Sequence, residues 1–179
     1  IGGLAGDALT DADDNVAVGY LALSTDTLGS KSTALGRNAL GTQNFTTATD
    51  SYNVAVGFHA GAAITTGGSN ILVGGLAGDS LTVGNGNIAI GLNALGTDTK
   101  GDRNVAIGLN SLATQNFTTS TDSYNTAVGY QAGYATTTGV ENTLIGALTG
   151  DALTTGQQNV ALGWNALSLD TLGNRSVAI

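Results

Sequence analysis

The sequence predicts an all-β protein, a parallel β-solenoid (β-roll) of about ten coils with two short strands in each, filling residues 1–179 as a single repeat domain. Three observations carry the prediction. A nine-residue unit, N-x-A-(V/I)-G-x-x-A-(L/G), returns along the whole chain at a fixed short interval. No segment shows the apolar spacing of an amphipathic helix. The composition has 28 Gly, no Pro and 41% hydrophobic residues, which is too apolar for a disordered linker.

The unit first appears as the broken copy IGGLAG from Ile1, then complete as NVAVGYLAL from Asn15 and STALGRNAL from Ser32. Further copies start at Asn53, Asn70, Asn87, Asn104, Asn125, Asn142 and Asn159, and a broken one, SVAI, starts at Ser176. Starts lie 17 residues apart, except from Ser32 to Asn53 and from Asn104 to Asn125, where the step is 21; together these make a 72-residue superperiod. The stretch VAVG is β-branched, alternating and closed by Gly, so it reads as a strand of about four residues. A second short strand is expected around the following Thr, as in TDTLG at 25–29. This coil length suits a flattened two-sided roll better than a three-sided helix built on hexapeptides. Coils stacked as parallel strands ~4.8 Å apart give a rod on the order of 45 Å long.

Two columns support in-register stacking. Eight of the ten coils carry Thr twelve places after the motif start, from Thr10 to Thr171, and the two long coils carry Asn44 and Asn116 there. The last motif position alternates in pairs: Gly6, Leu23, Leu40, Gly61, Gly78, Leu95, Leu112, Gly133, Gly150, Leu167. Where it is Leu, the residue three places on is polar (Asp26, Gln43, Asp98, Gln115, Asp170). Where it is Gly, that residue is Leu or Ile (Leu9, Ile64, Leu81, Leu153), with Thr136 the exception. One core space per coil, filled from either of two backbone positions, would hold packed volume constant.

Motif positions two and four, such as Val16 and Val18, point to one side of the strand and position three, Ala17, to the other. A strand apolar on both faces needs cover on both: one from the roll, the other from a partner chain. The alternative is that the small Ala side chains face water.

These residues resemble the head repeats of trimeric autotransporter adhesins, which also read N-x-A-I-G-x-x-A. The stretch NTAVGYQAGYATTTG (125–139) is similar in addition to the 17-residue repeats of bacteriophage tail fibres and related bacterial fibre proteins. The resemblance covers essentially the whole chain, and it departs from the adhesin pattern in its longer 17/21 spacing. It implies a left-handed roll, assembled as a homotrimer on an extracellular adhesive fibre, on a virion or a bacterial surface.

The composition excludes several function classes. The formal charge is −8 and only five Lys and Arg are scattered along the chain, so there is no basic footprint for nucleic acid. Without cysteine there is no disulfide framework and no thiolate site. No apolar run is long enough to insert in a membrane. With Ile1 first and no Met, the chain reads as an internal piece of a longer one. His59, the only histidine, reads as a surface turn residue. The DADDN cluster (Asp11, Asp13, Asp14) lacks the ligand spacing of a calcium loop and reads as a solvated turn. No cofactor and no enzymatic activity are expected. The aromatics after the motif Gly (Tyr20, Phe58, Tyr130, Trp164) could stack on sugars but are better placed to pack against a neighbouring chain.

The four extra residues of the long coils fall in TQNFTTATDSYN (42–53) and TQNFTTSTDSYN (114–125) and are expected to bulge outward at a turn. Candidate contacts to a host or cell-surface receptor, glycans included, are therefore Asn44, Phe45, Thr46, Asp50 and Tyr52, with Asn116, Phe117, Thr118, Asp122 and Tyr124. The expected function is that of a rigid fibre segment displaying these loops. The alternatives are a purely structural extracellular filament and an ice-binding solenoid.

Overall fold

The computed structural model describes residues 1–179 and contains strands and turns but no helix. A single ten-stranded parallel sheet runs the length of the rod, one strand per coil. Its strands are Val16–Val18, Thr33–Leu35, Val54–Val56, Ile71–Val73, Ile88–Ile90, Val105–Ile107, Thr126–Val128, Thr143–Ile145, Val160–Leu162 and Val177–Ala178. Register follows the repeat. Val16 pairs with Thr33, and across the long coils Thr33 pairs with Val54 and Val105 with Thr126.

The second side of the coil is built differently from the expected strand. Two-residue strands form only at the long coils, where Gly29–Ser30 pairs with Thr49–Asp50 and Gly101–Asp102 with Thr121–Asp122. Elsewhere the column Thr supplies one rung: Thr82 N and Oγ1 both donate to the Thr99 carbonyl, each at 2.9 Å. The hydroxyl takes the place of a second backbone donor, so the side is held without a regular ladder.

The strand's orientation is also decided. Position three faces inward, and Ala34, Ala55, Leu72, Ala89, Ala106, Ala127, Leu144 and Ala161 are fully buried. The β-branched residues at positions two and four face out. Small Ala side chains in water, the alternative reading, is therefore wrong: position three lines the roll's own core.

The Leu/Gly alternation is a volume exchange. Leu23, Leu40, Ile64, Leu81, Leu95 and Leu112 belong to one buried cluster. A Cβ on Gly78 would lie 2.9 Å from Leu81 Cδ1, and one on Gly61 would lie 3.1 Å from Ile64 Cδ1. The later residue thus occupies the space that Leu fills in the other coils. A third position takes part. Leu72 sends Cδ1 to within 2.7 Å of where a Gly61 Cβ would stand and Cδ2 to within 2.8 Å of a Gly78 Cβ. Leu144 does the same between Gly133 and Gly150, at 2.9 and 2.8 Å. Position three is Leu only in these two complete coils, where both flanking last positions are Gly.

Tight stacking also explains the motif Gly. Gly91 has φ +133°, and a Cβ there would lie 2.5 Å from the Gly108 carbonyl oxygen of the next coil. Gly91→Ala is expected to destabilise the protein by about 3 kcal/mol or more, read as a fall in the thermal midpoint. Thr136 is the reverse case: its Oγ1 is buried without a hydrogen-bond partner, at a position the other glycine-type coils fill with Leu or Ile. Thr136→Val should raise stability by about 1 kcal/mol in the same measurement.

Candidate functional site

The long coils are where the repeat departs from itself, and each departure begins with a buried carboxylate. Asp26 has no solvent exposure. Its Oδ1 accepts from Gly29 N at 3.1 Å and from Phe45 N at 3.0 Å, while Oδ2 accepts from Gln43 Nε2 at 2.6 Å. Gln43 Oε1 in turn accepts from Asn53 Nδ2 at 2.8 Å. The second long coil repeats the clasp: Asp98 accepts from Gly101 N, Phe117 N and Gln115 Nε2 at 3.0, 3.2 and 2.6 Å. Gln115 Oε1 accepts from Asn125 Nδ2 at 2.8 Å. Three donors meet the Asp26 carboxyl group and a fourth, Lys100 N at 3.3 Å, joins them at Asp98, so the buried oxygens are hydrogen-bonded, as burial requires.

The clasp divides the ten candidate contact residues. Phe45 and Phe117 are 7% and 6% exposed, so both rings are tucked into the roll and offer no surface to a ligand. The missing Cβ of Gly29 makes the space, since one there would lie 2.7 Å from Phe45 Cδ2. Asn44 and Asn116 continue the Thr column, accepting from Thr27 Oγ1 and Thr99 Oγ1. Thr46 and Thr118 are exposed, as are Asp50, Tyr52, Asp122 and Tyr124.

Those last four belong to two clusters that each recruit a cation from the preceding coil. The Gly29–Ser30 and Thr49–Asp50 pairing sets Lys31 beside Asp50, and the two form an ion pair. Tyr52 Oη donates to Asp50 Oδ2 at 3.3 Å, and Lys31 Nζ sits 5.4 Å from the Tyr52 ring centroid. In the second cluster Arg103 pairs with Asp122, Tyr124 Oη donates to Asp122 Oδ2 at 3.3 Å, and the guanidinium lies 5.8 Å from the Tyr124 ring centroid. Lys31, Tyr52, Arg103 and Tyr124 all have left-handed φ, between 49° and 61°, which turns their side chains out along one edge. The hydrogen bond between Lys31 and Asp50 holds the ammonium above its ordinary pKa and the carboxyl below its own.

The composition of the two long segments does not point to Lys31 or Arg103, which lie outside them. The repeat register holds the signal: each immediately precedes a motif start, as Tyr52 and Tyr124 do one coil later.

A second surface is the outward face of the long sheet. Val16, Leu35, Ile71, Ile90, Ile145, Val160 and Leu162 are each at least a third exposed, and no charged residue stands at positions two or four. Tyr20, Phe58, Leu92, Leu109, Tyr130 and Trp164 extend this stripe beyond the motif Gly. His59 lies at the turn beside it, its ring stacked on Phe58 at 4.2 Å.

No group of three or more His, Cys, Asp or Glu is placed to hold a metal ion. The one surface depression is polar, lined by Gln157, Gln158, Asn174 and Arg175. No helix is long and apolar enough to cross a membrane. Comparison with protein families, with characterised proteins and with solved structures finds no match. The fold therefore defines the class, a parallel β-solenoid.

Asp98→Ala would strand three buried N–H donors, and an expected loss of about 3–5 kcal/mol should accompany faster tryptic cleavage at Lys100. At Asp79 partial burial raises the carboxyl pKa. A carboxyl raised in the folded state contributes stability below the ordinary carboxylate range and loses it as pH rises through the raised value. Asp79→Asn should therefore raise the thermal midpoint slightly at about pH 7, with the gain gone by about pH 3.

Proposed function

We propose that this chain is a segment of a homotrimeric extracellular fibre, a rigid rod that carries two pairs of exposed loops and clusters for attachment to a host or cell surface. The observation that carries the reading is the outward sheet face. It is a stripe of aliphatic and aromatic side chains, with no charge at positions two and four and a single one, Arg37, beyond the motif Gly, on a chain otherwise rich in surface Asp. A stripe on the order of 45 Å long offers apolar surface along the whole rod for a second chain to cover. The number three, the left-handed twist and the fibre context come from the resemblance to adhesin heads and phage tail fibres.

The same geometry argues against ice binding. The column Thr hydroxyls donate to the carbonyls of the next coil, as Thr65 Oγ1 does to Thr82 O at 3.1 Å. They do not form a free outward array. Nothing in the clusters resembles a pair of carboxylates set about a substrate, since Asp50 and Asp122 are each tied to a cation.

Light scattering decides the oligomer: the expected mass is three times that of one chain, and a stable monomer would overturn the proposal. Ile90→Asp with Ile107→Asp should yield a folded monomer with unchanged far-UV circular dichroism, because both side chains point away from the roll's own core.

A further inference from the structure

The two exposed clusters pose a question that the rod alone does not answer. They hold the same three groups in the same roles: a cation, a carboxylate and a phenol. They stand in one column on one edge, four coils apart, which is roughly 19 Å at one strand spacing per coil. Between them the column holds only the small residues Ser69 and Gly86.

We propose that the two clusters are paired subsites for a single neutral polysaccharide chain laid along this edge of the rod. The proposal rests on the reading of the protein as a surface fibre. Each cluster offers an ammonium or guanidinium donor and a carboxylate acceptor within one side chain's reach, which suits adjacent hydroxyl groups of a sugar. The half-exposed Tyr ring beside them gives the apolar C–H face of a sugar ring something to stack on.

Charge selects against other ligands. Each ion pair is internally neutral and so favours neither sign of ligand, while the net charge of −8 opposes a polyanion at long range. An extended peptide is also poorly served. The edge amides are already committed, with Lys31 N donating to Asp13 O and Arg103 N to Asn85 O, so there is no free strand edge to pair with. Two equivalent subsites at a fixed spacing on a stiff support favour a ligand that repeats. A polymer that reaches both converts its second contact into an intramolecular one.

The test uses the full chain against immobilised neutral and acidic polysaccharides, followed by size-graded oligomers of whichever neutral polymer is retained. Retention of at least one neutral polysaccharide is expected. Affinity should step up by about 10²-fold once the oligomer spans both clusters. Tyr52→Ala or Tyr124→Ala alone should abolish that step, and the double variant should abolish retention while solution mass and circular dichroism stay unchanged. The proposal is overturned if no neutral polysaccharide is retained, if the double variant binds as well as the parent, or if acidic polymers are preferred. A trimer that retains no glycan removes this inference and leaves the fibre standing. A monomer that binds through both clusters does the reverse.

Discussion

A carboxamide sealed away from water ties each coil to itself and to the next. Asn87 Nδ2 donates to Gly101 O, 14 residues on in its own coil, at 2.9 Å. Its Oδ1 accepts from Asn104 N and Nδ2 of the following coil at 2.9 and 3.0 Å. Asn53, Asn70, Asn87, Asn104 and Asn159 are fully buried. A buried amide left unpaired costs as much as a lost hydrogen bond or more, so each Asn requires the backbone N–H of the motif start one coil along, which Ser32 and Ser176 supply as well as an Asn does. The constant register of the long sheet follows from that requirement, across the 21-residue steps as well as the 17-residue ones. The close approach it enforces is also why the motif Gly cannot carry a side chain.

Within this frame the core is free to vary only in compensated ways. Three positions share one space: the third and ninth of the motif and the residue three places after it. Small at one means large at another. Where Leu fills the space from the ninth position, the later residue is released from the core's apolar demand, and Asp26, Gln43, Asp98 and Gln115 use that freedom to build the clasps. Placing the bulges beside Leu-type coils is thus a packing outcome as much as a surface one.

Much of this was legible in the sequence, because a repeat writes its period directly. The strand, the parallel register, the rod and the Leu/Gly exchange could be read from VAVG, the 17/21 spacing and the paired alternation. The face that Ala takes could not, since a strand apolar on both sides gives no parity signal. Phe45 and Phe117 looked like display residues because polar neighbours surround them. Their burial depends on a carboxylate from the preceding coil and on a glycine without a Cβ, both about one coil away in sequence. The cationic halves of the clusters were missed for the same reason: contact across a 21-residue step is invisible to a reading of neighbours.

The exchange of volumes has a consequence for assembly of the chain. A rod of interchangeable coils could loop one coil out and close its neighbours together with little loss, since every coil would offer the next the same surface. Here the coils are not interchangeable. Leu72 fits only between two glycine-type coils, and Gln43 finds its carboxylate only in the coil before it. Omitting the coil that carries Asp26 or Asp98 leaves Gln43 or Gln115 without its buried carboxylate. The 72-residue superperiod thus fixes the order of neighbours where the long coils stand, because a clasp closes only when its two coils are adjacent.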